Sequence, residues 1–222
     1  MLMTEQTFTL GLADKPTRDD LQNYLSRLAR LGEAEVRLQT RGSALAVYGC
    51  TQAPVGIMDE SPVVLVMRAF PLAAAPAAPI DTVVEVRALT DRLARAASGL
   101  DLALPDMTVA AAWAGVLPPI AGWEARGEMD AGSLAVVAAE GMARVAENVP
   151  ADAGDPVVQK VRRAVWGSEI APGIPAAAAF AAEGLGFLSG IDRLTISGTR
   201  AWTRLSSRNG HVILRRGVGL MG

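Results

Sequence analysis

The chain has 222 residues, half of them hydrophobic and one fifth of them charged, and its formal net charge is −2. This composition is typical of a folded globular protein and excludes intrinsic disorder as the main state. Residues 107–123 carry no charge, but they contain the Pro118-Pro119 step, so they are a poor candidate for a membrane-spanning helix.

The sequence predicts a cytoplasmic protein. Its N-terminal residues show no basic segment followed by an apolar core, so no secretory signal is expected. Cys50 is the single cysteine and cannot form a disulfide within the chain, which fits a reducing compartment. Nineteen arginines against two lysines, together with abundant alanine, indicate the composition of a high-GC bacterial genome.

Residues 1–104 are predicted to form a helix packed on a mainly antiparallel sheet. The helix is expected to start at a Thr17 cap and to stop at Gly32, because apolar residues recur between them at helical spacing. A short helix over residues 90–99, ending at Gly99, is expected to close this half. The predicted strands lie at residues 7–12, in two runs within 35–52 joined at Arg41-Gly42-Ser43, at 61–70 and at 81–89.

Residues 105–129 show little regular pattern beyond a short strand predicted at residues 108–113. An irregular segment of this length is either a packed crossover between two halves or a ligand-binding loop. Its two tryptophans argue against a free linker, because large aromatic rings gain most from burial. The pocket candidates in and beside this segment are Trp113, Trp123, Glu124 and Arg126.

Residues 130–222 are predicted to hold three helices followed by a C-terminal β-hairpin. Asp130 is expected to cap the first helix, and Asp155 with Pro156 to begin the second. The third helix, between Ile174 and Leu188, has a single charged residue. A helix so poor in charge is buried either in the core of the chain or against a second copy, so this helix is the candidate interface of a homo-oligomer.

The hairpin prediction rests on Asn209-Gly210, which favours a two-residue type I′ turn. In that register Arg204 lies opposite Arg215, a like-charge pair. One face of the ribbon is apolar, and the other collects positive charge. The residues of this second face are candidates for binding an anion: Arg200, Trp202, Arg204, Arg208, His211 and Arg215.

Residues 190–222 carry six arginines and one aspartate, a formal charge of +5, while the remaining residues sum to −7. Three explanations are open: carboxylates of this or a second subunit cover the arginines, the arginines are solvated, or they bind a phosphate-bearing ligand or nucleic acid. The acidic total charge, and a third helix without basic or amide side chains to read a groove, lead us to expect no nucleic-acid partner.

The predicted fold class is α+β, and no motif identifies a reaction. With one histidine and one cysteine, a metal site built on imidazole or thiolate ligands is nearly excluded, and no metal or cofactor is predicted. The leading hypothesis is a cytoplasmic, non-catalytic interaction protein that forms a homodimer. One alternative is a binding module for an anionic ligand or nucleic acid at the hairpin. Another is an enzyme with its site near the tryptophan-rich crossover.

Overall fold

The computed structural model describes residues 8–54, 56, 59–96, 99–150 and 153–215. Within these ranges it contains five α-helices together with antiparallel strands, which confirms the predicted α+β class. The helices are α1 (Lys15–Arg30), α2 (Val86–Arg95), α3 (Ala131–Asn148), α4 (Asp155–Trp166) and α5 (Ala176–Gly184). The strands are β1 (Thr9–Gly11), β2 (Glu35–Arg41), β3 (Ala44–Gln52), β4 (Val63–Pro71), β5 (Asp81–Glu85), β6 (Asp101–Ala103), β7 (Glu124–Asp130), β8 (Glu169–Ala171), β9 (Ile174–Pro175), β10 (Arg193–Gly198), β11 (Trp202–Ser207) and β12 (Gly210–Arg215).

The chain divides into two compact units. Unit 1 comprises Met1–Gly49 and Met67–Leu117, and unit 2 comprises Cys50–Val66 and Pro118–Gly222. The sequence predicted segments 1–104, 105–129 and 130–222, and that division stays a prediction. Residues 50–66 belong to unit 2, and the expected crossover is divided between the units. Such a division depends on which strands pair in three dimensions, and local composition carries no information on that pairing.

In unit 1, helix α1 forms close to where the sequence placed it, but its cap is different. The Asp14 carboxylate accepts a hydrogen bond of 2.8 Å from the Thr17 amide, so Asp14 is the N-cap and Thr17 lies in the first turn. Leu31 ends the helix, and Gly32 follows with φ of 90°, the left-handed conformation that glycine adopts without steric cost.

The sheet of unit 1 has the strand order β5-β2-β3-β4, and β2 pairs antiparallel with both of its neighbours. Along β2 the residues Val36, Leu38 and Thr40 are buried and alternate with less buried ones, as expected for a sheet with one core face. Helix α1 packs on this sheet, where the Tyr24 hydroxyl donates a hydrogen bond of 3.3 Å to the Val47 carbonyl.

Helix α2 lies beside α1 in the same unit. The buried Arg18 of α1 donates a hydrogen bond of 2.7 Å to the Leu93 carbonyl in the last turn of α2, where a cation also complements the helix dipole. Because α2 begins at Val86, directly after β5, the strand predicted at 81–89 is shorter than expected. The helix predicted at 90–99 accordingly starts earlier.

The sheet of unit 2 contains the order β12-β11-β10-β7, and the pairings along it are antiparallel. Of these pairings, only the β11–β12 hairpin was predicted from the sequence. Six of the seven residues of β7 are exposed, so this strand lacks the alternation that reveals a half-buried strand. Its charged residues suit an edge strand, where they discourage pairing with another chain.

Helix α5 lies in the core of unit 2 and does not form the predicted surface for self-association. Six of its alanines are buried within the single chain, and α5 packs against α3. The first residues of the predicted helix, Ile174 and Pro175, instead form β9, which pairs with β8. The absence of charge in this segment therefore reflects burial in the core, the other reading that the sequence allowed.

Trp166, at the end of α4, packs against both neighbouring helices. Its ring lies 4.5 Å from that of Phe180 in α5, measured between centroids. On the other side it approaches Gly141 of α3, where an added Cβ would lie 2.2 Å from Trp166 Cζ3. A glycine inside a helix costs roughly 1 kcal/mol relative to alanine, and here it makes room for the indole.

Candidate nucleic-acid interface and arginine-lined cleft

The C-terminal hairpin forms, but its register differs from the prediction. Ser207 pairs with Gly210, so the turn consists of Arg208 and Asn209 and not of Asn209 and Gly210. The predicted pairing is displaced by two residues. Because side chains alternate with a period of two, such a displacement keeps every side chain on its predicted face.

The displaced register removes the predicted Arg204–Arg215 pair. Arg204 lies opposite Ile213, and Arg215 lies opposite Trp202. Each arginine instead contacts an indole: the Arg204 guanidinium lies 4.3 Å from the centroid of Trp123, and that of Arg215 lies 5.7 Å from Trp202. Cation–π contacts therefore hold these two arginines, and one of the tryptophans comes from the predicted crossover.

His211 does not add positive charge to this face at neutral pH. Its Nδ1 lies 2.8 Å from Ser206 Oγ. Burial, and secondarily the positive charge of Arg204, lower the pKa of His211 from 6.5 to about 4. The imidazole is consequently neutral at pH 7, so the positive charge of the face comes from its arginines.

The remaining predicted anion-binding arginines lie at opposite ends of the hairpin. Arg208 is in the turn and donates a hydrogen bond of 2.9 Å to the Gly190 carbonyl. Arg200 is exposed in the connection between β10 and β11. Arg200 lines a cleft together with three other candidate residues, Arg126, Trp202 and Arg215.

The pocket candidates Trp113 and Trp123 fall in different units. Trp113 belongs to a short 3₁₀ turn, Ala112–Gly115, which is attached to β2 by a hydrogen bond from Arg37 to the Ala114 carbonyl. Glu124 is exposed on β7, opposite Gly198 of β10. Of this predicted set, only Arg126 lines the arginine cleft.

A second concentration of positive charge, which was not predicted from the sequence, lies on the adjacent helices α1 and α2. Seven of their side chains are basic and three are acidic, so the pair carries +4 in a chain whose total is −2. Most of these basic side chains are exposed or partly exposed, and Arg18 is buried. The basic residues are Lys15, Arg18, Arg27, Arg30, Arg87, Arg92 and Arg95. Counting charge helix by helix would have found this signal, but the predicted start of α2 excluded Arg87.

The three carboxylates of the helix pair are each held near a cation. Asp19 lies 2.9 Å from Lys15, Asp20 lies 2.6 Å from Arg68 of β4, and Asp91 lies 3.9 Å from Arg87. The Lys15 ammonium, as the principal cause, lowers the pKa of Asp19. Because each of these acids lies near a cation, the surplus positive charge of the two helices lies on their arginines. Two arginines lie in the last turn of each helix.

In the part of the chain that the structure describes, no group of three or more histidine, cysteine, aspartate or glutamate side chains is arranged to hold a metal ion. None of the helices in the described ranges has the length and hydrophobicity needed to cross a bilayer.

The fold is similar to that of DNA polymerase subunits. The DNA polymerase III subunit beta of Pseudomonas aeruginosa matches with a TM-score of 0.53 and 14% identity, over 98% of this chain and 66% of that one. Pol III beta of Caulobacter crescentus matches with a TM-score of 0.52 and 12% identity, over 97% of this chain and 67% of that one. A second Caulobacter crescentus structure, described as a DNA polymerase sliding clamp, matches with a TM-score of 0.50 and 10% identity, over 97% of this chain and 67% of that one. This chain thus spans about two thirds of the length of these proteins, and at such identities the likeness shows the fold alone.

The expectation that nucleic acid is not a partner is contradicted by this likeness, since the proteins that share the fold are subunits of a DNA polymerase. That expectation relied on the total charge of the chain and on the third helix predicted within residues 130–222. The total charge hides the sorting of charge between helices and strands, and the third helix is α5, which lies in the core.

No curated protein sequence matches this chain. Two family models do, and their boundary falls where the two units meet along the chain. The model of the domain of unknown function DUF8185 matches residues 118–219. The model of the domain of unknown function DUF8010 matches residues 3–115, just over half of the sequence. The chain therefore belongs to the family described as the domain of unknown function DUF8010.

Proposed function

We propose that this chain is a non-catalytic DNA-binding protein of the sliding-clamp fold, and that it holds the phosphate backbone of duplex DNA against helices α1 and α2. The observation that carries the proposal is the charge of +4 on this helix pair, in a fold whose solved examples are DNA polymerase subunits. The DNA-binding face consists of the exposed basic residues of α1 and α2.

Physical chemistry supports this face as a phosphate-binding surface. Exposed arginines bind phosphate through a planar fork of N–H donors, and they release condensed counterions from the duplex when they do so. The alternative explanation for these arginines is structural: a cation near a helix C-terminus stabilises the helix by complementing its dipole. It accounts for Arg27, Arg30, Arg92 and Arg95, which lie in the last turns, whereas Arg87 lies in the first turn of α2, 3.9 Å from Asp91.

The hypothesis of an interaction protein is retained in this narrower form. A cytoplasmic location and a homodimer stay predictions. The proposal involves no reaction, since binding through backbone contacts requires positive charge and shape but no catalytic group.

A binding titration over a range of salt tests the proposal. For a labelled duplex, we expect the logarithm of the binding constant to fall linearly with the logarithm of salt concentration, because each phosphate contact releases a counterion. The triple variant Arg30→Gln, Arg87→Gln, Arg95→Gln should reduce affinity in low salt by about tenfold or more and flatten the slope by up to about 0.9 per lost contact. All three residues are exposed, so little stability should be lost.

The matched control is Arg144→Gln, Arg193→Gln, Arg208→Gln, which removes the same charge from exposed positions in unit 2. This variant should retain the duplex affinity and salt slope of the original chain. The proposal is wrong if the duplex does not bind in low salt, or if the control triple weakens binding as much as the triple on α1 and α2.

A further inference from the structure

The arginine-lined cleft has a volume of about 240 Å³ and belongs to unit 2, whereas the proposed DNA-binding face belongs to unit 1. Five backbone segments of unit 2 form its walls: Pro62 before β4, strand β7, the turn between β8 and β9, the connection from β10 into β11, and the end of β12. The side chains that matter for its chemistry are Arg126, Arg200, Arg215, Thr199 and Trp202.

Arg126 is directed to the cleft by a β-bulge. Ser197 pairs with Ala125 and Ile196 pairs with Gly127, so Arg126 is the extra residue of β7. Bulges commonly redirect a side chain in this way. The guanidinium lies against Gly198, where an added Cβ would be 2.2 Å from Arg126 Cζ, and its Nη2 donates a hydrogen bond of 2.8 Å to the Thr199 carbonyl.

Arg200 is presented by a tight hairpin connection. The Thr199 amide donates a hydrogen bond of 2.8 Å to the Trp202 carbonyl, and the Trp202 amide donates one of 3.2 Å to Thr199 Oγ1. These two bonds fix the backbone on both sides of Arg200. Arg215 enters from β12, directly opposite Trp202, with its guanidinium against the indole.

The cleft is therefore lined by three arginines that come from different elements. Among the described residues that line it, none is an aspartate or a glutamate. Glu169 is attached to one wall, where its Oε1 accepts a hydrogen bond of 3.2 Å from the Gly173 amide. Three cations around one cavity repel one another, and a multiply charged anion between them removes that repulsion.

We propose that this cleft binds a phosphate group, with Arg126 and Arg200 as its principal ligands and Arg215 as the third. The forked donors of arginine match the geometry of a phosphate, whose double negative charge suits three cations better than the single charge of a carboxylate. A cleft of about 240 Å³ accommodates a phosphate or a pyrophosphate. The group comes either from a small molecule or from the end of a nucleic-acid strand.

The test uses the full chain, with inorganic pyrophosphate as one probe and a short single strand with a 5′ phosphate as the other. Each is titrated by nuclear magnetic resonance on the arginine Nε–Hε signals and by calorimetry. We expect saturable shifts of Arg126 and Arg200, and a loss of affinity of about tenfold or more in the double variant Arg126→Gln, Arg200→Gln. Saturation by pyrophosphate alone identifies a small-molecule ligand, and saturation only by the phosphorylated strand identifies a strand end.

The control variant is Arg41→Gln, Arg193→Gln, which removes the same charge from exposed positions outside the cleft lining. It should bind the probes as the original chain does. The inference is overturned if neither probe shifts the cleft arginines, if both double variants lose affinity equally, or if a strand without the 5′ phosphate shifts Arg126 and Arg200 as much as one with it. Because the duplex titration depends on unit 1 and this test on unit 2, failure of one is distinguishable from failure of the other.

Discussion

Replacing Gly141 by alanine is expected to destabilise the chain by about 2–4 kcal/mol, although alanine is the better helix former. The added methyl group would lie 2.2 Å from Trp166 Cζ3 and 2.5 Å from Cη2. The indole is buried and packs against Phe180 on its other side, so it has little room to move away. The cost of this overlap should exceed the gain in helix propensity of roughly 1 kcal/mol.

Chemical denaturation of Gly141→Ala, Trp166→Leu and the double variant measures this effect. If the indole is the cause, the alanine should cost much less in the Trp166→Leu background than in the original chain, because the smaller leucine side chain leaves space. An alanine that stabilises the original chain, or that costs the same in both backgrounds, would show that the close approach of the two helices does not exist.

Replacing Gly210 by alanine should have an effect of similar or larger size, about 3–5 kcal/mol, because two penalties combine. The φ of Gly210 is 153°, in a region that residues with a Cβ rarely adopt. A Cβ there would also lie 2.3 Å from Phe187 Cε1, and the Phe187 side chain is fully buried. The hairpin would have to change its turn or displace the ring.

Gly42→Ala is the matched control for Gly210→Ala. Gly42 has φ of 53° in the turn after β2, and nothing lies within 4 Å of a Cβ added to it. The Gly42→Ala variant should therefore lose only about 1 kcal/mol of stability, the cost of placing alanine in this backbone conformation. Equal losses of melting temperature at the two positions would contradict the predicted contact between Gly210 and Phe187.

The hairpin shows how far local sequence rules reach. The Asn-Gly rule found the two strands and sorted their faces correctly, but it placed the turn one residue too late. Tertiary contacts determine the turn: Asn209 Nδ2 donates a hydrogen bond of 2.8 Å to the Ser189 carbonyl, and Ser207 Oγ donates one of 2.9 Å to the Phe187 carbonyl. Those partners follow α5 and are 20 residues away along the chain, so no local pattern contains them.

The candidate sites show the same limit. Sequence reasoning singled out Arg126, Arg200, Trp202 and Arg215, which all line the cleft, but it assigned them to two separate groups. The pairing of β7 with β10 and the bulge at Arg126 bring them together, and neither has a recognisable sequence signal. The basic helix pair was missed for a different reason, because a total charge of −2 conceals +4 on two helices.

The central claim is that DNA binds to the exposed face of α1 and α2, and arginine-detected nuclear magnetic resonance of the duplex complex tests it most directly. In low salt, the Nε–Hε signals of Arg27, Arg30, Arg87, Arg92 and Arg95 should shift on addition of duplex and return as salt is raised. Signals of Arg193 and Arg208 in unit 2 should remain in place. Shifts confined to the arginines of β10–β12, with those of α1 and α2 unmoved, would contradict the account.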